Sequence, residues 1–138
     1  MKFRSVLDKI LEEASILHCH LGPFLALGVK AGLRALEVFG YDPHGMRAEV
    51  IVPRMGTPYT CFADGVQYVT GCTLGKGNIE VREGGWLKVI FSRGSRRLEL
   101  KVRGEVLEKL EESSEDMEAE AKRIVRASLL DIFEESFL

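Results

Sequence analysis

An α+β fold, an antiparallel sheet of about four strands packed by N-terminal, central and C-terminal helices, follows from the order of two periodicities. Apolar residues recur at helical spacing up to residue 39 and again from residue 105 onward. Between residues 47 and 102 alternation dominates, broken by one polar helical stretch at 63–70. Helices before and after a block of strands argue against the regular β–α alternation of a parallel α/β sheet. With 138 residues the chain fits a single domain, residues 1–138, large enough to bury roughly two-thirds of its unfolded surface.

Residues 3–17 place Val6, Leu7, Ile10, Leu11, Ala14 and Leu17 at helical spacing, with Asp8, Lys9, Glu12 and Glu13 between them. The segment His18-Cys19-His20-Leu21-Gly22 interrupts this helix. Pro23, pre-set in φ and with no N–H to lose, opens a second helix over residues 23–39. That helix is apolar or small almost all round, so burial on most sides is expected, with Gly28 and Gly32 admitting a close backbone. Gly40 suits its C-cap. Residues 41–45, YDPHG, are turn chemistry, and His44 reads as a turn histidine. Residues 47–52 alternate, Ala48, Val50 and Val52 against Arg47, Glu49 and Ile51, and stop at Pro53. Residues 63–70 read as helical and 71–78 as an irregular, glycine-rich exit. Strands at 79–82 and 86–91 flank the hairpin signal Glu83-Gly84-Gly85. After a turn at Arg93-Gly94-Ser95, Leu98, Leu100 and Val102 face one way and Glu99, Lys101 and Arg103 the other. These three strands predict an antiparallel meander, with 47–52 joining it. Residues 105–110 read as a short helix. Ser114 would cap a last helix carrying Met117, Ala121, Ile124, Val125, Ser128, Ile132 and Phe133 on one face.

Composition narrows the function classes. An apolar content of 46% and a charged content of 29% are ordinary for a globular protein. The net charge of −2 gives no nucleic-acid footprint. The local cluster Arg93, Arg96, Arg97, Lys101 and Arg103 reads as a solvated turn and strand face. No run reaches the length of a membrane span. The N-terminal MKFRSVLDKILEEA carries charges where a signal peptide needs an apolar core, so a cytoplasmic location is expected, with neither membrane nor nucleic acid as partner. An odd number of cysteines, three, points to metal or thiol chemistry rather than a disulfide framework. Scarce Asn and Gln beside abundant Arg, Lys and Glu also match a thermophile-like, archaeal type of composition.

The candidate chemistry concentrates in residues 61–78, CFADGVQYVTGCTLGKGN. The stretch holds the chain's only glutamine, Gln67, its only asparagine, Asn78, and two of its cysteines. Cys61 precedes the predicted helix, where the helix N-terminus favours a thiolate; Cys72 follows it. The alternative is that both are small buried apolar residues. His18-Cys19-His20 supplies imidazole and thiol groups of the kind that zinc and similar ions select, against the alternative of a histidine bonded to backbone. Thr70 to Asn78 is not a P-loop, because only three residues separate Gly71 from Gly75-Lys76. Its backbone N–H groups could still form an anion nest, with Lys76 adding a positive charge; a tight turn with a solvated lysine is the competing reading. Asp64 and Gln67, three apart, share one helical face.

These residues resemble the FmdE family, the E-type component of formylmethanofuran dehydrogenase. Its pattern Cys-x-x-Asp-x-x-Gln-x-x-Thr-Gly-Cys-Thr-x-Gly-Lys-Gly-Asn is matched at Cys61, Asp64, Gln67, Thr70, Gly71, Cys72, Thr73, Gly75, Lys76, Gly77 and Asn78. An earlier element, His-x-His-x-Cys-Pro, is matched at His18, His20 and Pro23, but Gly22 stands in place of the cysteine and Cys19 in place of a usual glycine. The similarity covers roughly residues 15 to 105, and the cysteine-rich tail that many relatives append is not part of this sequence. The resemblance implies an α+β core, a homodimer and a metal-associated site, and no known reaction.

Two readings result. In the first, zinc or another divalent transition metal is held by His18, His20, Cys61 and Cys72, with Cys19 as a substitute ligand. Gln67, Thr70, Gly75, Gly77 and Asn78 then form the surroundings of a small anionic or carbonyl-bearing ligand, and Cys61, Asp64 and Lys76 are the groups able to act on it. The second reading is a non-catalytic accessory component of a larger molybdenum- or tungsten-type oxidoreductase complex. Thiol redox chemistry is a weaker third, since Cys61 and Cys72 are eleven residues apart rather than in a CxxC. Homodimerisation is expected through the apolar helix at 23–39 or through the last helix.

Overall fold

The computed structural model describes residues 5–113 and 116–138. Its elements are α1 (Val6–His18), α2 (Pro23–Phe39), β1 (Met46–Val52), α3 (Cys61–Thr70), a 3-10 turn (Leu74–Lys76), β2 (Ile79–Glu83), β3 (Lys88–Arg93), β4 (Arg96–Val102), α4 (Gly104–Glu112), α5 (Met117–Arg126), α6 (Leu129–Ile132) and β5 (Phe133–Phe137). The α+β class predicted from the sequence is the class observed.

The sheet has five strands in the order β2-β1-β3-β4-β5. The predicted meander of 79–82, 86–91 and 98–102 does not form, because β1 lies between β2 and β3. β1 pairs parallel with β2 and antiparallel with β3. Burial explains this placement: Ala48, Val50 and Val52 face the core and Ile51 on the opposite face is also buried, so β1 is a central strand needing a neighbour on each side. Glu83-Gly84-Gly85 is therefore a crossover from one edge strand past β1, not a hairpin turn. Val50, Val89 and Leu100 are in register across β1, β3 and β4, as are Ala48, Phe91 and Leu98, and these rows form the sheet's side of the core.

α2 lies at the centre. Twelve of its seventeen residues are buried, so its apolar faces are covered within the chain and offer no broad surface to a second copy. α3 packs directly on it. A Cβ added at Gly28 would fall 2.0 Å from the Phe62 carbonyl oxygen, one at Gly65 2.4 Å from that of Leu25, and one at Gly32 2.8 Å from Val69 Cβ. The close approach expected at Gly28 and Gly32 is thus made by α3.

The last predicted helix divides. α5 ends at Arg126, Ala127 turns extended, and after α6 the chain joins the sheet as β5, a strand the helical pattern concealed. Phe133, fully buried, lies opposite Val102 and closes the core there, while Arg34 of α2 donates to Glu135 at 2.5 Å. Ser114, the expected cap, lies outside the described residues; Asp116 accepts from the N–H groups of Glu118 and Ala119. Among the described residues no single helix is long and apolar enough to cross a membrane.

Candidate functional site

α1 delivers His18 from its last turn. Cys19 adopts the left-handed conformation, φ 63°, and turns the chain away towards Pro23. α3 begins at Cys61, two residues earlier than the sequence pattern indicates, so Cys61, Asp64 and Gln67 lie along one helical face. That face, His18, the loop at Met55, Thr57 and Thr60, and strand β2 at Ile79, Glu80 and Val81 enclose a cleft of about 600 Å³. The size is that of a small-molecule site.

Asp64 organises the polar side of this cleft. One carboxylate oxygen is 2.5 Å from His18 Nδ1, and the other accepts from Gln67 Nε2 at 3.2 Å. Gln67 Oε1 in turn accepts from the Leu74 N–H at 3.1 Å, which orients its amide. An ionised carboxylate can only accept, so the proton of this contact sits on Nδ1, the arrangement in which a neutral His18 ring presents the lone pair of Nε2.

Cys61 does not have the activated thiolate expected of a helix N-terminus. Burial pushes its thiol up, the Asp64 carboxylate pushes it further, and a backbone hydrogen bond offsets only part of this. Cys72 is fully buried just beyond the opposite end of α3 from Cys61. Its Sγ donates to the Met46 carbonyl at 3.4 Å, and burial raises its thiol too, with the Thr70 hydroxyl pulling the other way. Cys72 is thus not brought together with His18 and Cys61.

The rest of the motif is committed to the loop itself. Thr70 Oγ1 donates to the Val66 carbonyl and accepts from Cys72 N–H, while Gly71 caps α3 at φ 76°. Asn78 accepts from Thr73 N–H at 2.9 Å and donates to the carbonyls of Pro43 at 2.7 Å and Met46 at 3.1 Å, tying the loop to the preceding turn. Lys76 Nζ donates to the Gly71 carbonyl at 2.9 Å and to Thr73 Oγ1 at 3.3 Å. The N–H groups of Thr73, Leu74, Lys76 and Gly77 all donate within the protein and so are not free to contribute to an anion nest. Gly77 takes φ 70° after the 3-10 turn, and Gly75 faces open space.

His18, His20 and Cys61 share a smaller recess of about 30 Å³ with Pro58 and Met117. The two imidazole centroids are 6.1 Å apart. Cys19 is exposed, its Sγ turned to the Ile16 carbonyl, and stays apart from them. Among the described residues no three His, Cys, Asp or Glu side chains already converge as a ligand set. The donor chemistry nonetheless fits a divalent transition ion: two imidazoles, one thiol, and a carboxylate behind His18 in the position of an outer partner. Met55, Leu74 and Glu80 were not evident as cleft residues from the sequence, because their proximity depends on the loop and on β2 being an edge strand.

Three comparisons bear on this arrangement. The sequence matches the profile of FmdE, described as molybdenum formylmethanofuran dehydrogenase operon, over residues 17–135. A probable S-adenosyl-L-methionine-binding protein of Archaeoglobus fulgidus is 37% identical over 78 residues, 55% of this chain but 21% of that protein, so the chain matches about a fifth of that relative's length. The crystal structure of an FmdE-like protein of the tungsten formylmethanofuran dehydrogenase type, from Syntrophus aciditrophicus, aligns with a TM-score of 0.64 at 20% identity. The alignment covers 100% of this chain and 77% of that one, and this likeness shows the fold. With the profile spanning nearly the whole chain and the same α+β architecture in the solved structure, the chain belongs to the FmdE family.

Proposed function

We propose that His18, His20 and Cys61 hold a divalent transition metal, zinc or another, and that the adjoining cleft takes a small carbonyl-bearing ligand. The observation that carries this reading is the His18–Asp64 contact of 2.5 Å on the wall of the 600 Å³ cleft. A metal bound there would supply Lewis acidity towards a carbonyl oxygen. Asp64 holds the His18 ring and directs Nε2 to ligation, and Gln67 holds Asp64. Cys61 gives up its thiol proton on ligation. Met55, Leu74, Ile79 and Val81 cover the apolar part of the ligand and exclude water. No Lys or Arg lines the cleft, and Lys76 is turned back on its own loop, so a carbonyl group fits better than an anion.

Elemental analysis of protein purified without chelator or nickel resin tests this reading. About one transition metal per chain is expected in the wild type, and none in His18→Ala with Cys61→Ala. Asp64→Asn should weaken binding ~10- to 100-fold. A metal-free, folded wild type would overturn the proposal.

The family's association with a molybdenum formylmethanofuran dehydrogenase operon favours a second reading, an accessory component of a molybdenum- or tungsten-type oxidoreductase complex. Under it, Asp64→Asn and Gln67→Ala would leave the activity of the assembled complex unchanged. Both readings assume a cytoplasmic protein, and the proposed homodimer would use a surface other than α2.

A further inference from the structure

We infer that the free edge of β2 takes an extended peptide as an added strand, so that the carbonyl-bearing ligand of the cleft is a short peptide without acidic side chains. The inference rests on the cleft reading above and gives the ligand its class. It starts from the way the cleft meets the sheet. Three consecutive residues of β2, Ile79, Glu80 and Val81, line it. Side chains alternate across a strand, so a cleft on one face of the sheet would be lined by every second residue. A run of three places the cleft along the strand's edge. β2 is the end strand of the sheet, and β1 occupies its other edge.

The ladder fixes which backbone groups that edge presents. Ala48 N–H donates to the Asn78 carbonyl at 2.9 Å and Gly84 N–H to the Val52 carbonyl at 2.8 Å, with Ala48, Val50 and Val52 opposite Ile79, Val81 and Glu83. In a parallel pair of this register, Glu80 and Arg82 turn their N–H and C=O groups to β1, and Ile79, Val81 and Glu83 turn theirs outward. Among the described residues no strand pairs with that outer edge. The Glu83 carboxylate accepts from Met55 N–H at 3.0 Å, so the loop closes over this end of β2 and the cleft stops at Val81. The open edge is thus Ile79 and Val81, two N–H and two C=O groups on residues ~6.6 Å apart. Peptides that add a strand to a sheet edge draw affinity from such a row and specificity from pockets for alternate side chains. Charge sets the composition. A divalent ion with the Cys61 thiolate and the Asp64 carboxylate sums to zero, and Glu80 then leaves the cleft negative. No Lys or Arg lines it, and Arg47, 3.4 Å from Glu80, lies outside the lining. An acidic side chain would meet repulsion there.

The test uses full-length protein purified without chelator, and capped alanine tetrapeptides carrying valine, serine or glutamate at the second position. Amide hydrogen exchange read by NMR should be fast at Ile79 and Val81 and slow at Glu80 and Arg82 in the free protein. The valine and serine peptides should slow Ile79 and Val81, and the glutamate peptide should bind least. N-methylation at successive peptide residues should alternate, weakening binding by ~10-fold or more where the N–H faces β2 and leaving it nearly unchanged at the next residue. Val81→Pro removes an outward N–H and no ladder bond, and should weaken binding ~10-fold, with circular dichroism as the check on folding. If that variant does not fold, the N-methyl series decides. No protection of Ile79 and Val81 at millimolar peptide would overturn the proposal, as would equal sensitivity to N-methylation at every residue or equal binding of the glutamate peptide. Slow exchange of both amides in the free protein would overturn it too, in favour of a second copy on the edge where light scattering shows a dimer. Metal analysis of the same samples separates this inference from the reading beneath it. One metal per chain without peptide protection removes the peptide and leaves the metal site; protection in metal-free wild type leaves the edge and removes the metal site.

Discussion

Cys19, Cys61 and Cys72 occupy three environments, and reactivity should follow environment rather than sequence context. Cys19 is exposed in a left-handed turn, while the other two thiols are buried and pushed up by that burial. At neutral pH a maleimide should label one fast thiol per chain, absent in Cys19→Ser, with Cys61 in the cleft wall reacting slowly and Cys72 only after unfolding. Fast labelling that survives Cys19→Ser would contradict the burial of Cys61. Lys30 supplies a second test. Its Nζ donates to the carbonyls of Val125 and Ala127 at the end of α5, and burial lowers its pKa from 10.5, more than Asp131 and Glu37 raise it. The unfolded chain therefore holds this proton more tightly. Below the folded pKa the buried ammonium lowers stability, and that cost is relieved as pH rises from the folded pKa towards 10.5. Relative to Lys30→Met, wild-type stability measured by denaturant unfolding should climb through this alkaline window; parallel pH profiles would contradict the assignment.

At the scale of elements, the α2–α3 contact decides the sign of a glycine substitution. Alanine is favoured over glycine inside a helix by up to about 1 kcal/mol, so Gly28→Ala would stabilise an open position. Here the new methyl would meet the Phe62 carbonyl oxygen at 2.0 Å, backbone that cannot yield without moving α3. We expect a loss of about 3 kcal/mol or more, seen in chemical denaturation. Gly75→Ala is the control: nothing lies within 4 Å, its φ is not positive, and the change should stay within about 0.5 kcal/mol. The same elements separate legible from illegible features. Gly28 and Gly32 announced a close approach by their spacing. Asn78 announced importance by being the chain's only asparagine, but its work as a tie between residues 73 and 43–46 depends on a turn 35 residues earlier.

For the whole molecule, β5 is the element that completes the sheet. Phe133→Ala should cost about 3–5 kcal/mol, since the side chain is fully buried and its neighbours belong to several elements. A loss below about 1 kcal/mol by thermal or denaturant unfolding would mean that β5 is not docked as described. The sequence alone determined which segments are helical or extended along most of the chain, the burial of α2, the glycine approach and the concentration of unusual residues at 61–78. Those features are local periodicities and compositions, readable without knowing any partner. Tertiary structure alone decided that β1 sits between β2 and β3, that residues 133–137 turn from helical pattern to strand, that Cys61 and Cys72 part at opposite ends of α3, and that His18 meets Asp64 across 46 residues of chain. Each depends on which buried face finds which partner, and periodicity shows the face without showing the partner.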